Sequence, residues 1–242
     1  MTSTLVIRNE GAIRYITLNR PKKLNAMNVA MVDELSEQLI EADHDPKVSV
    51  IVISGEGRAF SAGVDLSDQG ESPTSQDVAA SLEHTFEFHK LLLRLDTPMI
   101  AAVHGYVLGG GCNLAVSCDM VVAAENAVFG YPEVKLGIAA AGVAPPLVHQ
   151  IGRKAAFELL VLCDNIDADK ALYLGMINRV VPADEVLDTA TQMAQILAGF
   201  DHNALWLTKQ IIRRSADLPM ASALDLGRDV SLGSRMYTSE SD

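Results

Sequence analysis

The sequence predicts a single α/β domain in which buried parallel strands alternate with helices. Residues 48–54, 99–103 and 121–124 are runs dominated by apolar residues, the first of them rich in β-branched side chains, which is typical of parallel strands that are covered on both faces. Segments with apolar residues at helical spacing lie between these runs and after them. The chain has 242 residues, of which 49% are hydrophobic, so it can form one large domain with a sizeable core.

The remaining elements follow from local patterns. Residues 5–7 and 13–18 alternate between apolar and polar side chains around Glu10-Gly11, which predicts a β-hairpin. Asn28 is a predicted N-cap of the first helix, and Asp167 caps a later one. A polar, turn-rich segment at residues 70–76 predicts a mobile loop. The predicted helices cover residues 28–43, 78–95, 154–162, 168–174, 184–198 and 204–214.

A glycine-rich segment, residues 103–113, joins an apolar strand to a helix-like run through Gly105 and then Gly109-Gly110-Gly111. A helix that begins inside such a turn presents unpaired N–H groups at the positive end of its dipole. They suit a phosphate, or an oxyanion that forms during a reaction. The segment lacks the Lys-Ser/Thr ending of a nucleotide P-loop, which favours the oxyanion. Residues 98–118 carry no Asp, Glu, Lys or Arg, but the central turn predicts a buried strand–turn–helix rather than a membrane span.

Charge and cysteine content exclude several classes of protein. The net charge is −12 and the isoelectric point is near 4.9, which disfavours binding to nucleic acid or to an anionic membrane surface. The three cysteines lack zinc-site spacing and predict reduced thiols in a cytoplasmic protein. An anionic coenzyme would need local basic residues, and the candidates are Arg20, Lys22, Lys23 and Arg58.

Four segments, in this order, resemble the crotonase (enoyl-CoA hydratase/isomerase) superfamily: residues 19–27, 57–66, 103–113 and 129–133. The resemblance implies a crotonase-like repeated ββα core over residues 1–190. A helical C-terminal region, residues 191–242, would belong to the same structural unit and serve in trimer formation. The resemblance further implies an acyl-CoA substrate, a homotrimer or dimer of trimers, and no permanently bound cofactor or metal. Coenzyme A would enter as the thioester carrier of the substrate.

The resemblance also implies which residues form the site. The N–H groups of Ala62 and Gly110 would stabilise the thioester oxygen as it gains negative charge. Glu133 matches the second glutamate of the family and would be the acid/base. His104 is a second candidate base, although a histidine at a strand end is more often structural. The residues expected around the adenine of the coenzyme are Lys23, Leu24, Ala62, Asp65 and Leu66.

Asn113 is the principal departure from the family pattern, because hydratases usually carry a glutamate at this position. Asparagine can orient water but cannot exchange a proton near neutral pH. One carboxylate suffices to move a proton along an enoyl chain, so the sequence favours an enoyl-CoA isomerase that converts 3-enoyl to 2-enoyl thioesters. The alternative is a 2-enoyl-CoA hydratase that holds its water with Asn113 and Glu133. A third hypothesis is a catalytically weak acyl-CoA-binding homologue.

Overall fold

The computed structural model describes residues 3–69 and 74–238. Its strands form two sheets, and its helices cover the larger sheet and make up most of the C-terminal third. The strands are β1 (Leu5–Glu10), β2 (Ile13–Leu18), β3 (Val50–Gly55), β4 (Ala59–Ser61), β5 (Met99–Val103), β6 (Tyr106–Leu108), β7 (Met120–Ala124), β8 (Val128–Gly130), β9 (Ile166–Asp167) and β10 (Arg179–Val181). The helices are α1 (Val29–His44), α2 (Ser75–Leu92), α3 (Gly110–Val116), α4 (Ala144–Ile151), α5 (Arg153–Leu162), α6 (Ala168–Tyr173), α7 (Val186–Ala198), α8 (His202–Ser215) and α9 (Met220–Thr238).

The larger sheet has six strands in the order β1-β2-β3-β5-β7-β10. The β1–β2 hairpin is antiparallel, and every other neighbouring pair is parallel. Alternate residues of β3 pack into two different apolar clusters, with Ile51 and Ile53 on one side and Val50 and Val52 on the other. Both faces of the sheet are therefore covered, as the unbroken apolar runs predict.

Helices on the two faces complete these clusters. α1 contributes Met31 and Leu35 to the cluster that also contains Ile51, because apolar residues recur along one of its faces. α7 contributes Ala190 and Met193 to the opposite cluster. This helix spans residue 190, which the sequence analysis takes as the end of the ββα core. The Asn28 side chain accepts a hydrogen bond from the Met31 N–H, as its predicted N-cap role requires.

The smaller sheet, β4-β6-β8-β9, positions the functional site. β4, β6 and β8 are parallel, so their carboxyl ends lie at the same edge of the sheet. The segments that leave this edge begin at Ala62, Gly109 and Tyr131. Three of the four motif segments therefore converge, although they are distant in the sequence.

The predicted α/β class is confirmed, with shifts at element ends. The helix predicted over residues 78–95 is α2, which starts earlier because Thr74 and Asp77 form a capping box. Of the predicted mobile loop at residues 70–76, residues 70–73 lie outside the described residues. In the described part of the chain no helix is long and apolar enough to cross a membrane, and residues 98–118 form β5, β6 and α3.

Candidate active site

The turn between β6 and α3 lies directly against the segment that follows β4. A Cβ atom on Gly63 would lie 2.9 Å from the Leu108 carbonyl oxygen, and the φ of Gly63 is +96°. A Cβ atom on Gly111 would lie 2.5 Å from the Ser61 Cβ. Both positions need glycine, because the two backbones approach too closely for a side chain. The first turn of α3 is thereby packed against residues 61–64.

The structure corrects one of the two expected oxyanion donors. The Ala62 N–H donates to the Leu24 carbonyl oxygen at 2.9 Å, so it is not available to a substrate oxygen. Two residues on, the Val64 N–H has no partner within residues 3–69 and 74–238. A Cβ atom on Gly110 would lie 3.8 Å from the Val64 nitrogen. The Gly110 N–H, at the start of α3, has no partner among the described residues, and the Val64 N–H is its neighbour.

The Glu133 carboxylate lies over this turn. A Cβ atom on Gly109 would lie 3.0 Å from Glu133 Oε1, so only a residue without a side chain leaves room for the carboxylate. Glu133 Oε2 is buried and has no hydrogen-bond partner in the described part of the chain. This burial raises the pKa of the Glu133 carboxyl, because desolvation disfavours the charged form. A carboxyl group with a raised pKa can accept a proton and return it.

Asn113 is buried beside the same turn. Its side chain is 1% exposed, and both the amide oxygen and the amide nitrogen lack a hydrogen-bond partner among the described residues. The Asn113 N–H donates to the Gly109 carbonyl oxygen at 3.0 Å, so Asn113 stands one helical turn beyond Gly109 on the same face. Side chains of a helix lean toward its N-terminus, which directs the amide toward the Gly109 turn, where Glu133 Oε1 also lies. We call the space bounded by Asn113 and Glu133 the polar niche.

The structure brings the segments expected to hold the coenzyme side by side. Leu24 adopts a left-handed conformation (φ 52°) and its carbonyl oxygen accepts the Ala62 N–H, which joins the two segments. Lys23 and Leu66 are exposed on them. Asp65 is 7% exposed and accepts hydrogen bonds from Ser67 and Arg20, which lower the pKa of its carboxyl. Asp65 therefore organises this segment rather than facing a ligand.

The other titratable candidates have structural positions. The His104 ring contacts the Gly57 carbonyl oxygen at 2.8 Å, which favours its structural interpretation. Cys112 is fully buried, and this burial raises the pKa of its thiol to about 12, so it is unreactive near neutral pH. Within residues 3–69 and 74–238, no group of three histidine, cysteine or acidic side chains is placed to hold a metal ion.

Sequence reasoning missed Val64, whose motif position is two residues beyond the expected donor. The signal in the sequence was the glycine at position 63, because glycine readily adopts a positive φ, as it does here, and thereby turns the next peptide group to a new direction. Two adjacent N–H groups, a nearby carboxylate and an amide without a partner among the described residues form an arrangement that can stabilise an enolate oxygen and transfer a proton.

The comparisons with known proteins identify the family of this chain. The family model for enoyl-CoA hydratase/isomerase matches residues 8–236. The chain is 38% identical to "2,3-dehydroadipyl-CoA hydratase" of Escherichia coli (strain K12), over 92% of this chain and 86% of that protein. It is 36% identical to "Probable enoyl-CoA hydratase, mitochondrial" of Dictyostelium discoideum, over 93% of this chain and 80% of that protein.

Solved structures agree with the sequence comparisons. The enoyl-CoA hydratase of Mycobacterium smegmatis superimposes with a TM-score of 0.92 at 30% identity, covering 96% of this chain and 91% of that one. The enoyl-CoA hydratase of Bacillus anthracis gives a TM-score of 0.91 at 27% identity, covering 95% and 90%. The chain belongs to the enoyl-CoA hydratase/isomerase family and has the crotonase fold, as the four motif segments imply.

Proposed function

We propose that this enzyme adds water to a 2-enoyl-CoA thioester. The observation that carries the proposal is the polar niche, where a buried amide with two atoms that have no partner among the described residues, and a carboxylate with one such oxygen, lie beside the same glycine turn. Buried polar atoms of this kind are usually satisfied by water or by a ligand. The relatives named above are hydratases, which favours this alternative over the isomerase that the sequence analysis puts first.

The reaction follows from the placement of these groups. The Asn113 amide and the Glu133 carboxylate hold one water molecule beside C3 of the substrate. Glu133 accepts a proton from this water as its oxygen bonds to C3, and the electron pair of the C2–C3 double bond moves to the thioester oxygen. The N–H groups of Val64 and Gly110 stabilise that oxygen. Glu133 then gives the proton to C2, so one water molecule has been added and the carboxylate is restored.

The coenzyme part of the substrate would lie along residues 20–27 and 62–66. Backbone groups near Lys23, Leu24 and Ala62 would contact the adenine, and the exposed side chain of Leu66 would cover it. The exposed Lys22, Lys23 and Arg58 would offset the phosphate charges, which matters in a chain with a net charge of −12.

Isomerisation is the second candidate, and the identity of residue 113 is the observation that favours it. The niche has one carboxylate, which can remove a proton from C2 of a 3-enoyl thioester and return it to C4. The same two N–H groups would stabilise the intermediate dienolate. Hydration and isomerisation therefore differ in whether water occupies the niche beside Asn113.

We further propose that the enzyme is a homotrimer or a dimer of trimers and acts in the cytoplasm. Support for self-association comes from an exposed apolar surface on α5 and the segment after Glu133, where Phe157 is 66%, Leu162 58% and Leu136 56% exposed. The three buried thiols are compatible with a reducing compartment. Mass photometry of the purified protein would test the assembly state.

A substrate panel tests the proposed reaction. Hydration of a 2-enoyl-CoA destroys the conjugated absorbance, whereas isomerisation of a 3-enoyl-CoA creates it. We expect loss of absorbance from the 2-enoyl substrate and formation of the 3-hydroxyacyl product by mass spectrometry. Gain of absorbance from the 3-enoyl substrate alone would identify an isomerase. Binding of both substrates without turnover would identify an acyl-CoA-binding homologue.

A further inference from the structure

The Arg20 side chain contacts both of the segments that are expected to hold the coenzyme. Its guanidinium donates to the Ala26 carbonyl oxygen and to Asp65 Oδ2, the latter at 2.9 Å. The Arg20 side chain is 19% exposed and the Asp65 side chain 7%. Ala26 precedes Met27 and Asp65 follows Val64, so one guanidinium joins residues that flank the closest contact between the two segments.

We propose that Arg20 is a positioning residue that aims the Val64 N–H at the thioester oxygen. This inference rests on the proposed function, because it assumes that Val64 and Gly110 form the oxyanion hole. Arg20 does not touch the reacting atoms in this scheme and acts through the backbone of Ala26, Met27 and Asp65.

The planarity of the peptide group explains how the Arg20 contacts reach Val64. The Gly63 carbonyl and the Val64 N–H belong to one trans peptide, so they point in opposite directions. The Met27 N–H donates to the Gly63 carbonyl oxygen at 2.7 Å, and the Asp65 N–H donates to the Met27 carbonyl oxygen at 2.9 Å. The first bond orients the Gly63–Val64 peptide and the second holds the peptide that follows it, so the Val64 N–H is directed away from Met27, on the side of Gly110.

Arg20 contacts both of the segments that these two hydrogen bonds join, the one that ends at Met27 and the one that contains Asp65. Its backbone closes the loop before Met27, because the Arg20 N–H donates to Asn25 Oδ1 at 2.8 Å and the Arg20 carbonyl oxygen accepts the Asn25 N–H at 3.0 Å. Its guanidinium then holds the end of that loop at Ala26 and the following segment at Asp65. Arginine suits this role because its planar group offers several donors in fixed directions.

Arg58 provides a contrast within the same region. It is exposed and its side chain has no hydrogen bond or ion pair with the residues that the structure describes. Arg58 is therefore free to meet a phosphate, whereas the Arg20 guanidinium is already engaged by Asp65 and Ala26. Arg58, directly before β4, is thus available as a control position for Arg20.

The test uses the thioester carbonyl as a reporter. Butyryl-CoA labelled with ¹³C at its carbonyl is saturated and cannot be hydrated, and its carbonyl stretch falls in frequency when hydrogen bonds polarise it. Infrared difference spectra would be recorded for the wild-type enzyme and for Arg20→Lys, Asp65→Asn and Arg58→Gln. Arg20→Lys retains the positive charge at residue 20, and Asp65→Asn retains the shape of the side chain at residue 65. Each variant therefore disrupts the ion pair between Arg20 and Asp65 with little other change.

We expect the downshift of the carbonyl stretch in the wild-type enzyme to shrink in Arg20→Lys and Asp65→Asn. The kcat of these variants should fall about tenfold, a fraction of the effect of losing a whole oxyanion donor, while KM stays within about twofold. Arg58→Gln should weaken butyryl-CoA binding and leave the downshift intact. The role of Arg20 would be overturned if Arg20→Lys and Asp65→Asn both kept the full wild-type downshift. It would also be overturned if Arg58→Gln lost as much of the downshift as they do. Absence of a downshift in the wild-type enzyme would instead overturn the proposed oxyanion hole.

Discussion

Replacement of Glu133 by glutamine separates proton transfer from substrate binding. Glutamine has nearly the same shape, so it can occupy the space over Gly109 that the carboxylate fills. It cannot accept a proton from water or return one to C2. Because Asn113, the other side chain of the polar niche, is not titratable, it cannot take over the proton transfer. We therefore expect the Glu133→Gln enzyme to lose its hydratase activity while it still binds the substrate.

The expected loss is the full contribution of a general acid/base. Such a group usually contributes about 10²–10⁴-fold to the rate, which corresponds to about 3–5 kcal/mol of activation free energy. The upper part of this range applies here, since one group must serve as base toward water and as acid toward C2. The affinity for coenzyme A should change little, because its expected contacts lie on residues 20–27 and 62–66.

The assay compares kcat on a 2-enoyl-CoA with the Kd for coenzyme A measured by calorimetry. Glu125→Gln is the matched control, since Glu125 is an exposed glutamate between β7 and β8. It should retain the wild-type rate. A Glu133→Gln enzyme with a near-normal rate would show that the base lies elsewhere, and His104 would be the next residue to replace.

Further predictions concern pH, stability and the turn. The kcat/KM for hydration should rise with pH through one acid limb whose midpoint lies above 4.5, since burial raises the pKa of the Glu133 carboxyl. The thermal midpoint of Glu133→Gln should exceed that of the wild type at pH 8, and this gap should close as the pH falls to 4.5. The reason is that a raised native pKa costs stability only where the unfolded chain is ionised. Gly110→Val should lose activity while the protein stays folded, because even the Cβ of the new side chain would lie 3.1 Å from Met27 Cε and 3.2 Å from Val64 Cγ2. An unchanged steady-state rate in this variant would exclude the Gly110 N–H as an oxyanion donor. Asn113→Glu should raise the ratio of hydration to isomerisation, because two nearby carboxylates separate their pKa values into an acid and a base, and an unchanged ratio in a folded variant would contradict this.

The larger sheet was predictable from sequence because its strands carry a local signal. The runs in β3, β5 and β7 are apolar on both faces, which is typical of parallel strands covered on both sides. The smaller sheet was not predictable, because β4, β6 and β8 have three residues each, too few to show a period. Its existence depends on pairing between distant segments.

The sequence was enough to predict which segments form the site. It was not enough to predict which backbone N–H groups are free to act as oxyanion donors. Glycine spacing and motif order placed Gly110, Asn113 and Glu133 in one turn region. Whether the N–H of Ala62 or that of Val64 is free depends on the hydrogen bond from Ala62 to Leu24, which joins residues far apart in the sequence. The role of Arg20 was equally hidden, since a surface arginine in a basic motif looks like a phosphate ligand until its partner Asp65 is known.

The partition between hydration and isomerisation in Asn113→Leu tests the central claim that Asn113 and Glu133 hold the attacking water. Leucine has nearly the same shape as asparagine but cannot bind water, whereas the proton transfers of isomerisation need only Glu133. Rates on 2-enoyl-CoA and 3-enoyl-CoA would be measured by absorbance for this variant and for the wild type. The account predicts that hydration falls by at least about tenfold, the value of a lost buried hydrogen bond, while any isomerisation persists. Unchanged hydration in Asn113→Leu would contradict it.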